Sequence, residues 1–390
     1  MHRLQQQNNS SVCSRSFQFT EVRPMVRKNL ETRNRNHSQK RRIIDEGANN
    51  NKILESRRKI ESKCIQPKLY SLRADEIPLQ FREPFIDSGY RRPYMTAKES
   101  IWSLFTPCNE TVNVWSHIAA LLFFCSHYYS IFWNTHKPTN DPFVYPLVAF
   151  AFGVSIAFLM SAGAHLFSSI SPRIRHVCFF FDYAAISLYT FTAGQAFYFY
   201  SRPLDSDLMV LNIPEVFLAV SMFISLTTTT ICCASRHRWH RYKHLLRTGG
   251  YVLSWFFNTL PYTWRLHTCS AEHQCHAISK PYFMRHVLCY AVAAVANASK
   301  FPERLMRGAF DFIGQSHHFL HIVSAIGAGD EFTAMVLDME GMREQERIQS
   351  VTFNNTLGLT ALAFVGNVAI VLLFSFSLEN NEEEEKIEDY

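Results

Sequence analysis

No two cysteines in this 390-residue chain stand in a CxxC pair, and its ten cysteines are scattered. That excludes a disulfide scaffold or a paired-cysteine metal knuckle. There is no Gly-rich nucleotide loop, no kinase motif and no internal repeat, so the nucleotide-dependent classes fall away. The first 30 residues lack the apolar stretch of about 7–15 residues that marks a signal peptide. Charge is the most telling scarcity. Residues 1–100 hold 32 charged side chains, 21 of them Lys or Arg, while the remaining 290 positions hold only 40. Soluble domains carry roughly 25% charged residues, so one uniform soluble globule is excluded.

What fills the last three quarters is apolar and aromatic: the chain has 33 Phe, 16 Tyr and 6 Trp. Runs of about 20 mostly apolar residues cross a hydrocarbon core of roughly 30 Å. Eight such runs are present, at 114–134, 143–167, 176–200, 209–234, 249–264, 282–299, 313–337 and 357–378. The run 249–264 is the weakest, being short and carrying Pro261. Open sheets cannot span lipid, because their edge amides would go unsatisfied. Barrel strands would show alternating segments of about 10 residues. The expected fold is therefore an all-α membrane protein: a bundle of seven core transmembrane helices, an eighth C-terminal helix and a long disordered N-terminal tail. The expected divisions are a basic cytoplasmic tail (1–76), a juxtamembrane segment (77–113), the multi-pass bundle (114–378) and an acidic tail (379–390).

The first span acts as a start-transfer anchor. With the N-terminus cytoplasmic and the long tail set aside, 11 Lys/Arg fall inside and 7 outside. Arg236, Arg238, Arg241, Lys243 and Arg247 supply most of that bias, and Arg91, Arg92 and Lys98 near span one strengthen it. Eight spans then place both ends inside. The tail clusters Lys40-Arg41-Arg42 and Arg57-Arg58-Lys59 read first as a solvated disordered segment, second as a tether to anionic lipid. A tail tethered to a membrane bundle does not suit a nucleic-acid partner. The sequons at Asn9 and Asn109 are cytoplasmic in this topology and should carry no glycan. Cys232 and Cys233 read as packing residues before palmitoylation sites, and Cys269 and Cys275 share one outside loop in which a local bond can form.

Ionisable residues inside spans are costly and face the bundle interior. Four stand out. His165 closes span two, Asp182 lies early in span three, and His317 and His321 open span seven. At 1.5 Å per residue, Asp182 is roughly 9 Å deep and the two histidines roughly 6 to 15 Å deep, all in the cytoplasmic half. Residues i and i+4 share a helix face, so His317 and His321 can hold one ion, and His165 supplies a third nitrogen. Three nitrogens with an open fourth position suit zinc. Asp182 could orient a histidine or take a proton. Ser161, four residues before His165, shares its face. His318 rivals His317 at i/i+3, with 317/321 preferred. His176, His240, His244 and His286 are expected at membrane interfaces.

These residues resemble the signatures of the progestin and adipoQ receptor family. The stretch Ile77 to Arg91 is similar to the family's juxtamembrane segment, and Asn109-Glu110-Thr111-Val112-Asn113-Val114-Trp115-Ser116-His117 to its first signature. Ser161 with His165 and Asp182-Tyr183 is similar to the second, and Ser316-His317 with His321 to the third. The run Ala334 to Met339 and the eighth span resemble the membrane progestin receptor branch. One departure is Cys108, where the family often has His. The resemblance implies a plasma-membrane receptor with zinc held by His165, His317 and His321, and a relationship to membrane hydrolases that include alkaline ceramidases.

Two functions follow. The first is a receptor for a steroid, a progestin, or another lipid-like ligand, signalling to a cytoplasmic effector and surrounded by membrane lipids. The second is a zinc-dependent amide hydrolase of ceramidase type, in which Asp182 shuttles the proton and Ser161 assists. A transporter would show inverted repeats or paired broken helices, and neither is visible in the sequence.

Overall fold

The computed structural model describes residues 71–388 except 136–140, 204–205, 238, 240–241, 269–277 and 345–350. Outside the described residues lie the tail through residue 70, both its basic clusters, Arg238, His240, Arg241 and the Cys269/Cys275 loop. So do the side chains of the acidic C-terminal run.

Eleven α-helices occur among the described residues. They are α1 (Ala97–Trp102), α2 (Thr111–Tyr129), α3 (Tyr145–Phe167), α4 (Pro172–Ser201), α5 (Met209–Asn212) and α6 (Pro214–His237). There follow α7 (Lys243–Asn258), α8 (Leu260–Thr268), α9 (Lys280–Ser299), α10 (Ser316–Glu344) and α11 (Leu359–Glu388). No strand longer than the isolated Leu72–Tyr90 bridge occurs among the described residues. Five helical segments are long and apolar enough to cross a membrane: Pro142–Phe167, Pro172–Ser201, Pro214–Arg236, Ser316–Arg343 and Asn354–Leu378. The other three expected runs fall on α2, on α7–α8 and on α9. The protein is an all-α helical membrane protein.

Local chemistry starts and stops these helices. Ser171 accepts a hydrogen bond from Ile174 N at 3.1 Å and Pro172 follows at the first helical position, which is a favoured start for α4. Pro261, the blemish in the weakest run, stands in the first turn of α8, so the chain divides that run into two helices at Thr259. The α4–α7 contact is very close at Gly194. A Cβ there would meet Asn258 Oδ1 at 2.0 Å, so only glycine lets the α7 end approach. The core is a band of stacked rings, with Phe150 on Phe332, Phe217 on Tyr198 and Phe257, and Tyr262 on Phe283.

Helix α11 docks on α4 and α6 through polar contacts. Thr360 donates to Gln195 Oε1 at 2.8 Å, and Thr229 donates to Asn367 Oδ1 at 2.5 Å. Its backbone helix continues through Glu388, so the acidic run extends the last helix.

Order before the bundle begins ahead of the expected residue 77, because Leu72 pairs with Tyr90 in both directions. Ile77, Phe81, Ile86 and Tyr90 form a small buried cluster there, and burial pushes the Tyr90 phenol up from its ordinary value. Arg91 is buried and donates to the carbonyls of His165 and Leu166, each at 2.6 Å. It thereby caps the end of α3, where orphan carbonyls need a donor. Asp311, before α10, accepts from Asp87 N at 3.0 Å and Ser88 Oγ at 2.6 Å. The juxtamembrane segment therefore clamps the two chain regions that carry the candidate histidines.

Candidate metal centre

His165 from α3 and His317 and His321 from α10 meet at one point. The Nε2 atoms of His165 and His317 are 3.2 Å apart, as are those of His321 and His317. All three ligand atoms lie within 4.8 Å of one another. Each ring is held from behind by an oxygen. His165 Nδ1 is 2.8 Å from Glu110 Oε2. His321 Nδ1 is 3.1 Å from the Asn113 carbonyl and 3.3 Å from Ser116 Oγ. His317 Nδ1 is 3.3 Å from Asn297 Oδ1, an amide whose orientation is set by a 3.2 Å donation from Lys300 Nζ.

A carboxylate, a backbone carbonyl and an amide oxygen accept hydrogen bonds, so each Nδ1 carries the proton. Each Nε2 then presents a bare lone pair. Three lone pairs aimed at one point cannot hydrogen-bond to each other, and a cation satisfies them. Tetrahedral zinc with nitrogens at about 2.0–2.1 Å would hold them roughly 3.3–3.4 Å apart, close to the two 3.2 Å separations from His317. Oxygen partners behind ligating histidines are a regular feature of metal sites. The donor set fits zinc.

His318 stands apart from this cluster. Its Nδ1 accepts from Gly314 N at 3.1 Å and Gln315 N at 3.2 Å, capping the start of α10. Glu303 takes the next free amide, accepting from Ser316 N at 2.8 Å. The i/i+3 alternative is thus occupied with helix capping.

Asp182 and Ser161 are both buried. Asp182 Oδ1 has no hydrogen-bond partner. Both residues, with the three histidines, line a cavity of about 970 Å³. The cavity continues to Glu331, fourteen positions beyond His317 on α10, or roughly 20 Å at 1.5 Å per residue. There Tyr189 donates to Glu331, and the Tyr189 and Tyr290 hydroxyls are 2.6 Å apart.

One expectation fails. His286 is not at an interface but fully buried, accepting from Trp255 Nε1 at 3.0 Å and facing the Gly327 carbonyl at 3.3 Å. Its place in a short apolar run suggested a helix end, whereas α9 turns it against α10. His244 is exposed, Cys232 and Cys233 are fully buried packing residues, and the Cys108 Sγ accepts from Thr111 Oγ1.

Sequence reasoning missed the oxygens behind the rings. Glu110, Asn113 and Ser116 stand at intervals of three, with His117 one step on, so they share a face of α2. That polar stripe at the start of an apolar helix was the available signal. His117 itself stacks on His321, with centroids 3.8 Å apart, and neither of its nitrogens has a partner.

Comparison with known proteins agrees in extent with this architecture. The haemolysin-III-related family matches residues 105–329, which include all three histidines. Membrane progestin receptor gamma-B of Danio rerio is 31% identical over 324 residues, covering 78% of this chain and 92% of the relative. Membrane progestin receptor delta of Mus musculus is 32% identical over 315 residues, covering 79% and 90%. Membrane progestin receptor gamma of Homo sapiens is 28% identical over 317 residues, covering 80% and 94%.

Proposed function

The chain belongs to the haemolysin-III-related family, the progestin and adipoQ receptor group, and from that premise we propose that it is a plasma-membrane receptor for a steroid, a progestin, or another lipid-like ligand. Relatives named membrane progestin receptors support the ligand class. The observation that carries the site is the convergence of three bare Nε2 atoms on the wall of a large cavity. His165, His317 and His321 would hold zinc, and Glu110, Asn113 and Asn297 would orient them. The cavity lining is mainly apolar, with polar groups near each end, which suits a largely apolar ligand. Ligand that binds one bundle state better shifts the population, and a cytoplasmic effector reads that shift.

Metal content of detergent-purified protein tests the site. Wild type should carry about one zinc per chain, and the His317→Ala/His321→Ala variant should carry none. Wild-type protein that is folded but metal-free would sink the zinc assignment. Saturable binding of radiolabelled progesterone to the same preparation tests the ligand class.

A zinc-dependent lipid amide hydrolase of ceramidase type is the second reading. It is favoured by the unpartnered, buried Asp182 Oδ1 beside the histidines. Zinc, when bound, supplies Lewis acidity and acidifies water. Ser161 lines the same cavity, and the unpartnered Asp182 Oδ1 is free to take and return a proton. Asp182→Asn should keep expression, zinc and steroid binding yet lose ceramide turnover by about 10²–10⁴-fold. Undiminished turnover in that variant would remove this reading.

A further inference from the structure

The connection between α9 and α10 does not have the composition of an ordinary loop. Connections are ordinarily polar. Here Phe301, Leu305, Met306 and Ile313 stand on the surface, with Leu305 73% and Ile313 74% exposed. A single surface hydrophobe needs no explanation. Four in the stretch 301–313 form a patch of the kind that marks contact with a protein or a membrane.

The loop is folded into hydrogen-bonded turns. Arg304 N donates to the Lys300 carbonyl at 2.8 Å, Leu305 N to that of Pro302 at 2.9 Å and Ala309 N to that of Met306 at 3.3 Å. Gly308 takes a φ of +80°, which glycine adopts without steric cost. The inner side of the loop rests on the juxtamembrane segment. There Asp311 accepts from Asp87 N and Ser88 Oγ, and the Phe312 ring covers Gly89, 3.1 Å from where a Cβ would stand. Both acids of the loop face inward: Glu303 and Asp311 are buried and accept hydrogen bonds. The two arginines that flank Leu305 and Met306 face outward, and both are exposed. Neither Arg304 nor Arg307 forms an ion pair among the described residues. Arg307 lies 5.6 Å from the centroid of the Phe85 ring. Asp87 approaches Gly308 from the juxtamembrane segment but pairs with neither arginine.

Apolar side chains bracketed by arginines, with every acid of the loop turned away, match a surface that is apolar beneath and anionic above. Position selects a bilayer over a soluble protein. Ile313 stands three residues before Ser316, where a helix long and apolar enough to cross a membrane begins. Phe301 stands two residues after Ser299, the last residue of α9. The patch is therefore held at the level where hydrocarbon gives way to headgroups. We propose that the loop 301–313 docks on anionic phospholipid. Phe301, Leu305, Met306 and Ile313 sit at the hydrocarbon boundary, and Arg304 and Arg307 meet the oxygens of the headgroups. In the expected topology this end of the bundle meets the cytoplasmic leaflet, which carries the anionic lipid. Glu303 of the same loop caps α10, so docking steadies the helix that carries His317 and His321. The inference rests on neither the receptor nor the hydrolase reading.

The test uses the full chain in nanodiscs of phosphatidylcholine, alone or mixed with phosphatidylserine. Both leaflets of such a disc are alike, so the result does not depend on topology. Hydrogen–deuterium exchange of peptides covering 301–313 should be slower in the mixed discs, and the thermal midpoint should be higher. Arg304→Gln/Arg307→Gln should abolish both differences, while Lys280→Gln, exposed at the other end of α9, should keep them. Leu305→Ser/Met306→Ser should speed exchange of the loop in both kinds of disc. In neutral detergent, native mass spectrometry should show wild type retaining phosphatidylserine at least about tenfold more tightly than phosphatidylcholine, a preference the arginine variant loses. Exchange of 301–313 that is equal in the two discs would overturn the inference on wild-type protein alone and leave the patch to a protein partner. A phosphatidylserine preference that survives in the arginine variant would also overturn it, because the anionic lipid would then bind elsewhere on the bundle.

Discussion

The chemistry of the site rests on which nitrogen of each histidine carries the proton. That is decided by single oxygen atoms: Glu110 Oε2 at 2.8 Å behind His165 is the closest of them. Glu110 also accepts from Asn113 Nδ2 at 2.7 Å, which fixes the carboxylate that fixes the ring. Replacing Glu110 by Gln keeps the size and removes the charge. Such partners typically contribute about 10–100-fold to metal affinity. Glu110→Gln should therefore lower zinc affinity by that factor in a competition titration against a chromogenic chelator, with the fold retained by circular dichroism. His318→Ala should leave zinc stoichiometry unchanged, since its Nδ1 accepts from the Gly314 and Gln315 amides just before α10. Loss of zinc in that variant would return His318 to the list of ligands.

At the scale of elements, the bundle depends on a few places where helices come unusually close. Gly194 on α4 and Asn258 at the end of α7 are one. Asn258 accepts from Ser221 Oγ at 2.5 Å and donates to the Ser254 carbonyl at 2.8 Å, so it ties α6 to α7 beside α4. A methyl group at 194 would strike its Oδ1. Gly194→Ala should cost about 1–3 kcal/mol through overpacking, visible as a lowered thermal midpoint in detergent. Asn258→Ala should cost about 1–3 kcal/mol by leaving Ser221 unsatisfied. The double variant should lose less than the two together, because the clash partner is gone. Strict additivity would mean that the contact does not couple the helices. The buried pair of Arg265 on α8 and Asp338 on α10, 2.7 Å apart, plays a similar part near the other end of the bundle.

For the whole molecule, the charge distribution and the eight apolar runs call for both ends on the cytoplasmic side. Epitope tags at the two termini should stain only after cells are permeabilised. An odd number of crossings would leave one tag accessible from outside. Asn109 should carry no glycan by mass analysis, and the fold adds a reason independent of topology. Asn109 is buried, and its N–H donates to the Gly89 carbonyl at 2.9 Å. The same packed segment brings Arg91 against the end of α3, so the region before the bundle is part of the site's support.

The sequence by itself determined the class of the fold, because hydrocarbon admits few ways to satisfy a backbone, and runs of about 20 apolar residues state the solution. It also singled out His165, His317, His321, Asp182 and Ser161, which line one cavity in the fold. Ionisable groups inside apolar runs are costly, so their depth along each helix carries information. Only the tertiary structure decided what stands behind and around them. Glu110 and Asn297 come from α2's approach and from α9, far from the histidines in sequence, and a helix register cannot say which neighbour a ring nitrogen will face. The same limit hid the burial of His286. Position along a helix is encoded locally, whereas position around its axis is settled by which other helices pack against it.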